Sequence, residues 1–146
     1  MGHICLNRAS LALGCVVGFA AVLPSSLAAS EVEANAKPYT VECEGGECRV
    51  DRDTYVGWRT YHANCHQCHG QDALGSTFAP SLLVRLQEID RERFMDSLEN
   101  GYTGQVGVMP GWGNNPNVNR HFDALYAYLM ARSDEVLGPG RPKRIR

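Results

Sequence analysis

Apolar and polar positions divide this chain into one uninterrupted apolar run followed by short, separately patterned segments. The run extends from Leu11 to Leu23 without a charged residue, with Arg8 before it and Ser26-Leu27-Ala28 after it. Val41 to Val50 is chemically symmetric about Gly45-Gly46. Two adjacent glycines accept the positive φ angles of a type I′ turn, so the pattern predicts a hairpin. Glu44 and Glu47 then flank the turn, Cys43 opposes Cys48, Glu42 opposes Arg49, and Val41 opposes Val50. A pair one step out from the turn-flanking residues is not hydrogen-bonded to its opposite, and its Cα atoms lie about 4.5 Å apart. That is at the near edge of disulfide reach.

The remaining pattern is helical. Asp51 or Asp53 caps a first helix running to about Asn64, with Gly57, Tyr61 and Cys65 on one face at i, i+4 and i+8. Leu82, Leu83 and Leu86 mark a short apolar turn. Asp90 is placed to cap the next helix, Ile89 to staple onto Phe94, and Leu98 to continue the stripe until Gly101 ends it. Tyr102 to Pro116 is Gly-rich and shows no helical period. Asn117 or Asn119 opens a last helix whose buried face is Phe122, Leu125, Tyr128 and Leu129. Residues 30–40 read as a mobile leader, 30–50 as an N-terminal extension carrying the hairpin, and 133–146 as a basic flexible tail. The expected fold is mostly α, small helices over residues 51–132, with few large apolar side chains. A domain this small stabilises itself poorly, and a buried prosthetic group would supply the missing core.

Charge and leader chemistry set the compartment. A basic end, a short apolar core and a small-x-small site describe a secretory signal peptide over residues 1–29. The apolar core is short for a membrane span of about 20 residues. A lipoprotein reading at Cys15 fits poorly, because Ala12 stands where a larger aliphatic residue is expected. The mature chain is therefore expected in the periplasm with no transmembrane segment. It carries thirteen basic and sixteen acidic residues, and four of the basic ones (Arg141, Lys143, Arg144 and Arg146) crowd its last six positions. Residues 30–140 hold nine basic against sixteen acidic residues, a charge of −7. An acidic body argues against nucleic acid and for a partner with a basic docking patch.

Four cysteines remain after the signal. Cys65-His66-Gln67-Cys68-His69 is C-x-x-C-H, the attachment sequence of c-type haem. Two cysteines one helical turn apart reach the two vinyl groups on one haem edge, and the adjoining His69 is carried under the iron. His66 is an intervening residue without a metal role. A thioredoxin-like redox pair would need a βαβ context that the helical pattern lacks. A zinc site is the stronger rival, since Cys43-x4-Cys48 and Cys65-x2-Cys68 stand sixteen residues apart, close to zinc-ribbon spacing. The adjacent His69, the export signal and a downstream sixth ligand favour haem. Met95 and Met130 sit among apolar helix positions and read as packing. Met109 lies in a Gly-rich loop, where backbone approaches a flat ligand closely, and Pro110 stiffens the turn. A thioether suits an electron carrier by favouring ferrous iron. His62 and His121 are the bis-histidine alternatives.

From about Asp51 to Arg132 the chain resembles the class I c-type cytochromes. Gly57 and Tyr61 match that family's first-helix glycine and aromatic, and Leu125 and Tyr128 match the final-helix pair crossing them. The resemblance implies that the Pro80 carbonyl accepts the Nδ1–H of the iron-bound histidine, and that Met109-Pro110 is the methionine loop. Cys43 and Cys48, with Met109-Pro110-Gly111-Trp112, further resemble a four-cysteine cytochrome group associated with methanol oxidation. That narrower resemblance implies a pyrroloquinoline-quinone (PQQ) alcohol or methanol dehydrogenase as electron donor and another cytochrome c or an oxidase as acceptor. The expected protein is a mono-haem electron carrier, not an enzyme. A haem enzyme or gas sensor with a labile sixth ligand, and a subunit of a larger dehydrogenase complex, are the competing readings.

Overall fold

The computed structural model describes residues 36–105 and 107–146. The expected signal peptide, the lipoprotein alternative at Cys15 and residues 30–35 lie outside the described residues. The hairpin forms in the expected register: β1 (Val41–Glu44) runs antiparallel to β2 (Glu47–Val50), with Cys43 opposite Cys48. Gly45 and Gly46 take φ of 59° and 82°, the left-handed angles that the turn demands. The two cysteines are joined in a disulfide, Cα atoms 4.1 Å apart.

Asp51, not Asp53, caps the first helix, α1 (Arg52–Asn64). Its carboxylate accepts the Thr54 amide at 2.9 Å, the Thr54 hydroxyl at 2.7 Å and the Thr40 amide at 2.6 Å. Asp53 sits in the first turn, where a negative charge favours the helix dipole. One turn, α2 (His66–His69), follows, and α3 (Leu82–Arg85) is the short apolar turn. The helix α4 (Arg91–Asn100) begins where Asp90 accepts the Arg93 amide at 2.8 Å. The last helix, α5 (Phe122–Ser133), starts later than expected. The Asn119 side chain donates to the Gly113 carbonyl instead of capping, and residues 119–121 form a tighter 3-10 turn.

α5 packs chiefly on α1, and also on α3 and α4. Its burial is wider than a single stripe, taking in Ala124, Ala127, Ala131 and Arg132 beside Leu125, Tyr128 and Leu129, while Phe122 stays half-buried. Tyr61 and Tyr128 are fully buried with ring centres 5.7 Å apart, and Leu125 is 1% exposed. Burying a side chain such as Leu125 contributes about 2 kcal/mol.

Both chain ends of the described unit depart from the mobile segments read from the sequence. Lys37 and the Tyr39 hydroxyl bind the Asp134 carboxylate at 2.8 and 2.6 Å, fixing residues 36–40. The segment 133–146 is not a flexible tail here. Lys143–Arg144 forms β5, parallel to β2, with Arg49 opposite Lys143 and Val50 opposite Arg144. Leu137 is buried, the Gly140 amide donates to Asp72 at 2.9 Å, and the Ile145 amide donates to the Val50 carbonyl at 2.9 Å. Burial and backbone pairing together anchor the tail despite its charge.

Candidate functional site

The C-x-x-C-H residues straddle the end of α1. Cys65 closes α1, its amide donating to the Tyr61 carbonyl, and begins α2, whose last residue is His69. Cys65 is half-buried and Cys68 exposed, and neither is in a disulfide. Burial, and then the charge of Cys68, push the Cys65 thiol up to about 12. A redox-active C-x-x-C pair needs a lowered thiol, so the environment opposes a thioredoxin-like role. The zinc alternative loses two of its four thiols to the Cys43–Cys48 disulfide. Among the described residues, no three His, Cys, Asp or Glu side chains gather as a metal site.

His69 is 8% exposed. Burial lowers its pKa while the Pro80 carbonyl opposes that change, so the ring is held neutral, the form that ligates a metal. The Pro80 contact falls short of normal hydrogen-bond geometry, and Nδ1 remains buried without a bonded partner. The surrounding turn is held by bonds that no sequence period reveals. The Tyr61 hydroxyl donates to the Gly70 carbonyl at 2.6 Å, the Ser76 hydroxyl to the Cys68 carbonyl at 2.5 Å, and the Gly75 amide to the His69 carbonyl at 2.8 Å. Tyr61 thus ties the helix-crossing core to the backbone just after His69.

The Gly-rich stretch contains a ladder too short to show a period: β3 (Tyr102–Thr103) pairs with β4 (Val108–Met109), Tyr102 opposite Met109. Met109 is half-buried against the core. The following residues satisfy the free carbonyls at the end of α4, Trp112 donating to Leu98 at 2.7 Å and Gly113 to Glu99 at 3.2 Å. Gly101 makes this close docking feasible. Its φ is 82°, and a β-carbon there would lie 2.6 Å from the Met109 carbonyl oxygen. The segment after His69 meets the methionine hairpin at its tip, where a β-carbon on Gly107 would sit 3.9 Å from the Phe78 carbonyl oxygen.

The other candidates have different surroundings. His62 Nδ1 lies 2.9 Å from the Trp58 carbonyl and Nε2 lies 3.8 Å from the Asp72 carboxylate, so both ring nitrogens have neighbours. His121 stands at the start of α5, and Met95 and Met130 pack half-buried against the core.

The donor set fits a haem. A neutral buried imidazole follows two unpaired cysteines, and a thioether stands on the hairpin that meets the same loop. Of the large apolar side chains left exposed, Leu74 and Phe78 follow His69 and Tyr102 and Val108 flank Met109, while Val84 lies in α3 and Val136 near the chain end. Apolar surface concentrated in the segments after His69 and around Met109 is what a large apolar prosthetic group would cover.

The family described as "Cytochrome C oxidase, cbb3-type, subunit III" matches residues 53–129. The chain is a c-type cytochrome. Cytochrome c-553I of Paracoccus denitrificans is 39% identical to this cytochrome over 110 residues, covering 73% of the chain. The chain spans about half of that relative's length, 47%. Cytochrome c-555 of Methylococcus capsulatus is 33% identical over 62% of the chain and 72% of its own length. The crystal structure of c-type cytochrome XoxG from Methylobacterium extorquens AM1 superimposes with a TM-score of 0.66 at 37% identity, covering 75% of this chain and 73% of that one. Membership of this family implies covalently bound haem c. No helix of the described residues is long and apolar enough to cross a membrane.

Proposed function

We propose that this cytochrome carries single electrons in the periplasm, from a PQQ-dependent methanol or alcohol dehydrogenase to a downstream cytochrome c or oxidase. Residues 1–29 serve as its secretory signal and residues 51–132 as its cytochrome domain. Cys65 and Cys68 would hold the haem through thioethers, His69 and Met109 would ligate its iron, and Pro80 would orient the His69 ring. When bound, haem supplies one-electron redox chemistry, and the chain supplies burial, ligation and a surface for partners. The neutral, buried His69 offers a nitrogen ligand without a proton to displace. Gly101 and the Trp112 and Gly113 amides hold the methionine loop against α4. The Tyr61 hydroxyl fixes the turn beneath His69.

The observation that carries the donor assignment is the disulfide hairpin ahead of the haem motif, the feature shared with the four-cysteine cytochromes associated with methanol oxidation. Likeness to XoxG over three quarters of the chain supports it. Stopped-flow mixing of the oxidised cytochrome with a purified, substrate-reduced PQQ methanol dehydrogenase tests the assignment. Fast reduction that slows with added salt is expected, because the acidic body steers the encounter. A rate no faster than with an unrelated cytochrome would remove the alcohol-oxidation role. The oxidase-subunit description of the matched family favours a second reading, a cytochrome subunit of a larger complex. Stoichiometric co-purification from native membranes or periplasm would establish that instead.

A further inference from the structure

The basic residues at the chain end become a fixed patch once β5 pairs with β2. Lys143 stands opposite Arg49, Arg144 follows it, and Arg141 is pinned over the Tyr55 and Trp58 rings at 5.8 and 5.5 Å, also donating to the Tyr55 hydroxyl. Arg49, Arg141, Lys143 and Arg144 are all exposed. Glu47 ion-pairs into the group, meeting both Lys143 and Arg49, and Glu42 stands opposite Arg49 across the hairpin. Tyr55, Arg141, Pro142, Lys143 and Arg144 line an open groove there. In a chain whose body is acidic, four fixed cations against these two acids leave the groove net basic.

An aromatic row joins the groove to the haem motif. Along α1 the ring centres of Tyr55 and Trp58 are 5.7 Å apart, those of Trp58 and His62 4.8 Å, and those of His62 and His66 6.2 Å. His66 lies between the two attachment cysteines. The Trp58 Nε1 and His66 Nδ1 atoms are buried without hydrogen-bond partners, whereas His62 is bonded to the Trp58 carbonyl and Tyr55 to Arg141.

We infer that the basic groove is a second docking surface, which takes an acidic one-electron acceptor, and that the Tyr55–Trp58–His62–His66 row couples it to the haem. The row's part rests on the proposed attachment at Cys65 and Cys68. One electron passes from the reduced cytochrome to the acceptor, which is reduced; no bond breaks and no proton moves. Acidic donor-side docking and basic acceptor-side docking would let one small carrier address two partners by charge.

The test uses the holoprotein and two anionic probes. Hexacyanochromate(III), paramagnetic and inert to redox here, should broaden amide resonances around Arg49 and Arg141–Arg144 in a ¹H–¹⁵N spectrum at low salt. Arg49→Glu/Arg144→Glu should abolish that broadening without altering the visible spectrum. Ferricyanide oxidation of the reduced protein should slow several-fold in that variant, and oxidation by a cationic cobalt(III) phenanthroline complex should not. Trp58→Leu should slow ferricyanide oxidation while leaving the broadening in place, and Trp58→Phe should restore the rate. Broadening centred elsewhere overturns the docking surface. Broadening at the patch with an unchanged rate in Trp58→Leu overturns the aromatic route. If haem proves to be attached elsewhere, the broadening map still decides the patch and the route falls with the attachment.

Discussion

Gly57 and Ala124 meet backbone to backbone: a β-carbon on Gly57 would fall 1.8 Å from the Ala124 carbonyl oxygen and 2.8 Å from Tyr128 Cβ. Neither the carbonyl nor the α5 backbone can retreat without separating the helices that bury Tyr61, Leu125 and Tyr128. Gly57→Ala should therefore destabilise the holoprotein by about 3 kcal/mol or more, the upper range of overpacking. Gly138→Ala, where a β-carbon meets nothing within 4 Å, should stay within about 0.5 kcal/mol of the parent. Guanidinium unfolding of the two variants checks the contrast.

Asp51 gives one acid-dependent part of the stability, beside Asp134, whose carboxyl the Lys37 and Tyr39 bonds also hold low. Burial disfavours its charge, but the Thr54 and Thr40 amides and the Thr54 hydroxyl outweigh that and hold the carboxyl below its usual range. A carboxyl lowered on folding contributes fully above its unfolded pKa, about 3.9, and that contribution is lost as the pH falls through the native value. Asp51→Ala should cost about 1 kcal/mol at pH 7, the usual worth of an N-cap. Asp51→Asn should keep the cap and reduce the acid dependence, leaving the part from Asp134. Unfolding curves at neutral and acid pH measure both; identical pH slopes in parent and Asp51→Asn would contradict the assignment.

The Cys43–Cys48 disulfide closes a very short loop, so it constrains the unfolded chain little. Replacing both cysteines by serine should cost about 2 kcal/mol or less by the chain-entropy estimate. Equilibrium unfolding measures the loss. A much larger loss would mean that the bridge also holds β5 in place through β2.

Met109→Ala should remove the weak red sulfur-to-iron absorption band, admit carbon monoxide to the reduced protein and lower the reduction potential. The same three readouts in Met95→Ala and Met130→Ala should not move. A band that survives in Met109→Ala and vanishes in either other variant would relocate the ligand.

Much of this was legible in the sequence because its determinants are local. The hairpin register follows from Gly45-Gly46 and the cap of α4 from Asp90, while the crossing of Gly57 and Tyr61 by Leu125 and Tyr128, distant in the chain, is implied by the resemblance to the class I cytochromes. The attachment motif needs only five consecutive residues. What the sequence hid depends on partners far along the chain. The Gly140–Arg146 segment has no alternation of its own and is ordered by Val50, Tyr55 and Asp72, which lie 68 to 95 residues earlier. Asp51 prevails over Asp53 because Thr40 and Thr54 converge on it. The two-residue β3–β4 ladder is too short for any period, and the Tyr61 bond to Gly70 joins a helix to an irregular turn.

If the turn Cys65–His69 carries the prosthetic group, peptide mass spectrometry of the holoprotein will find it on a single peptide. Tryptic cleavage after Arg59 and Arg85 releases Thr60–Arg85, which should carry the mass of one haem, with Cys65 and Cys68 both resistant to alkylation. The same peptide from a Cys65→Ser/Cys68→Ser variant should carry none. An unmodified Thr60–Arg85 with two alkylated thiols would place the haem elsewhere on the chain.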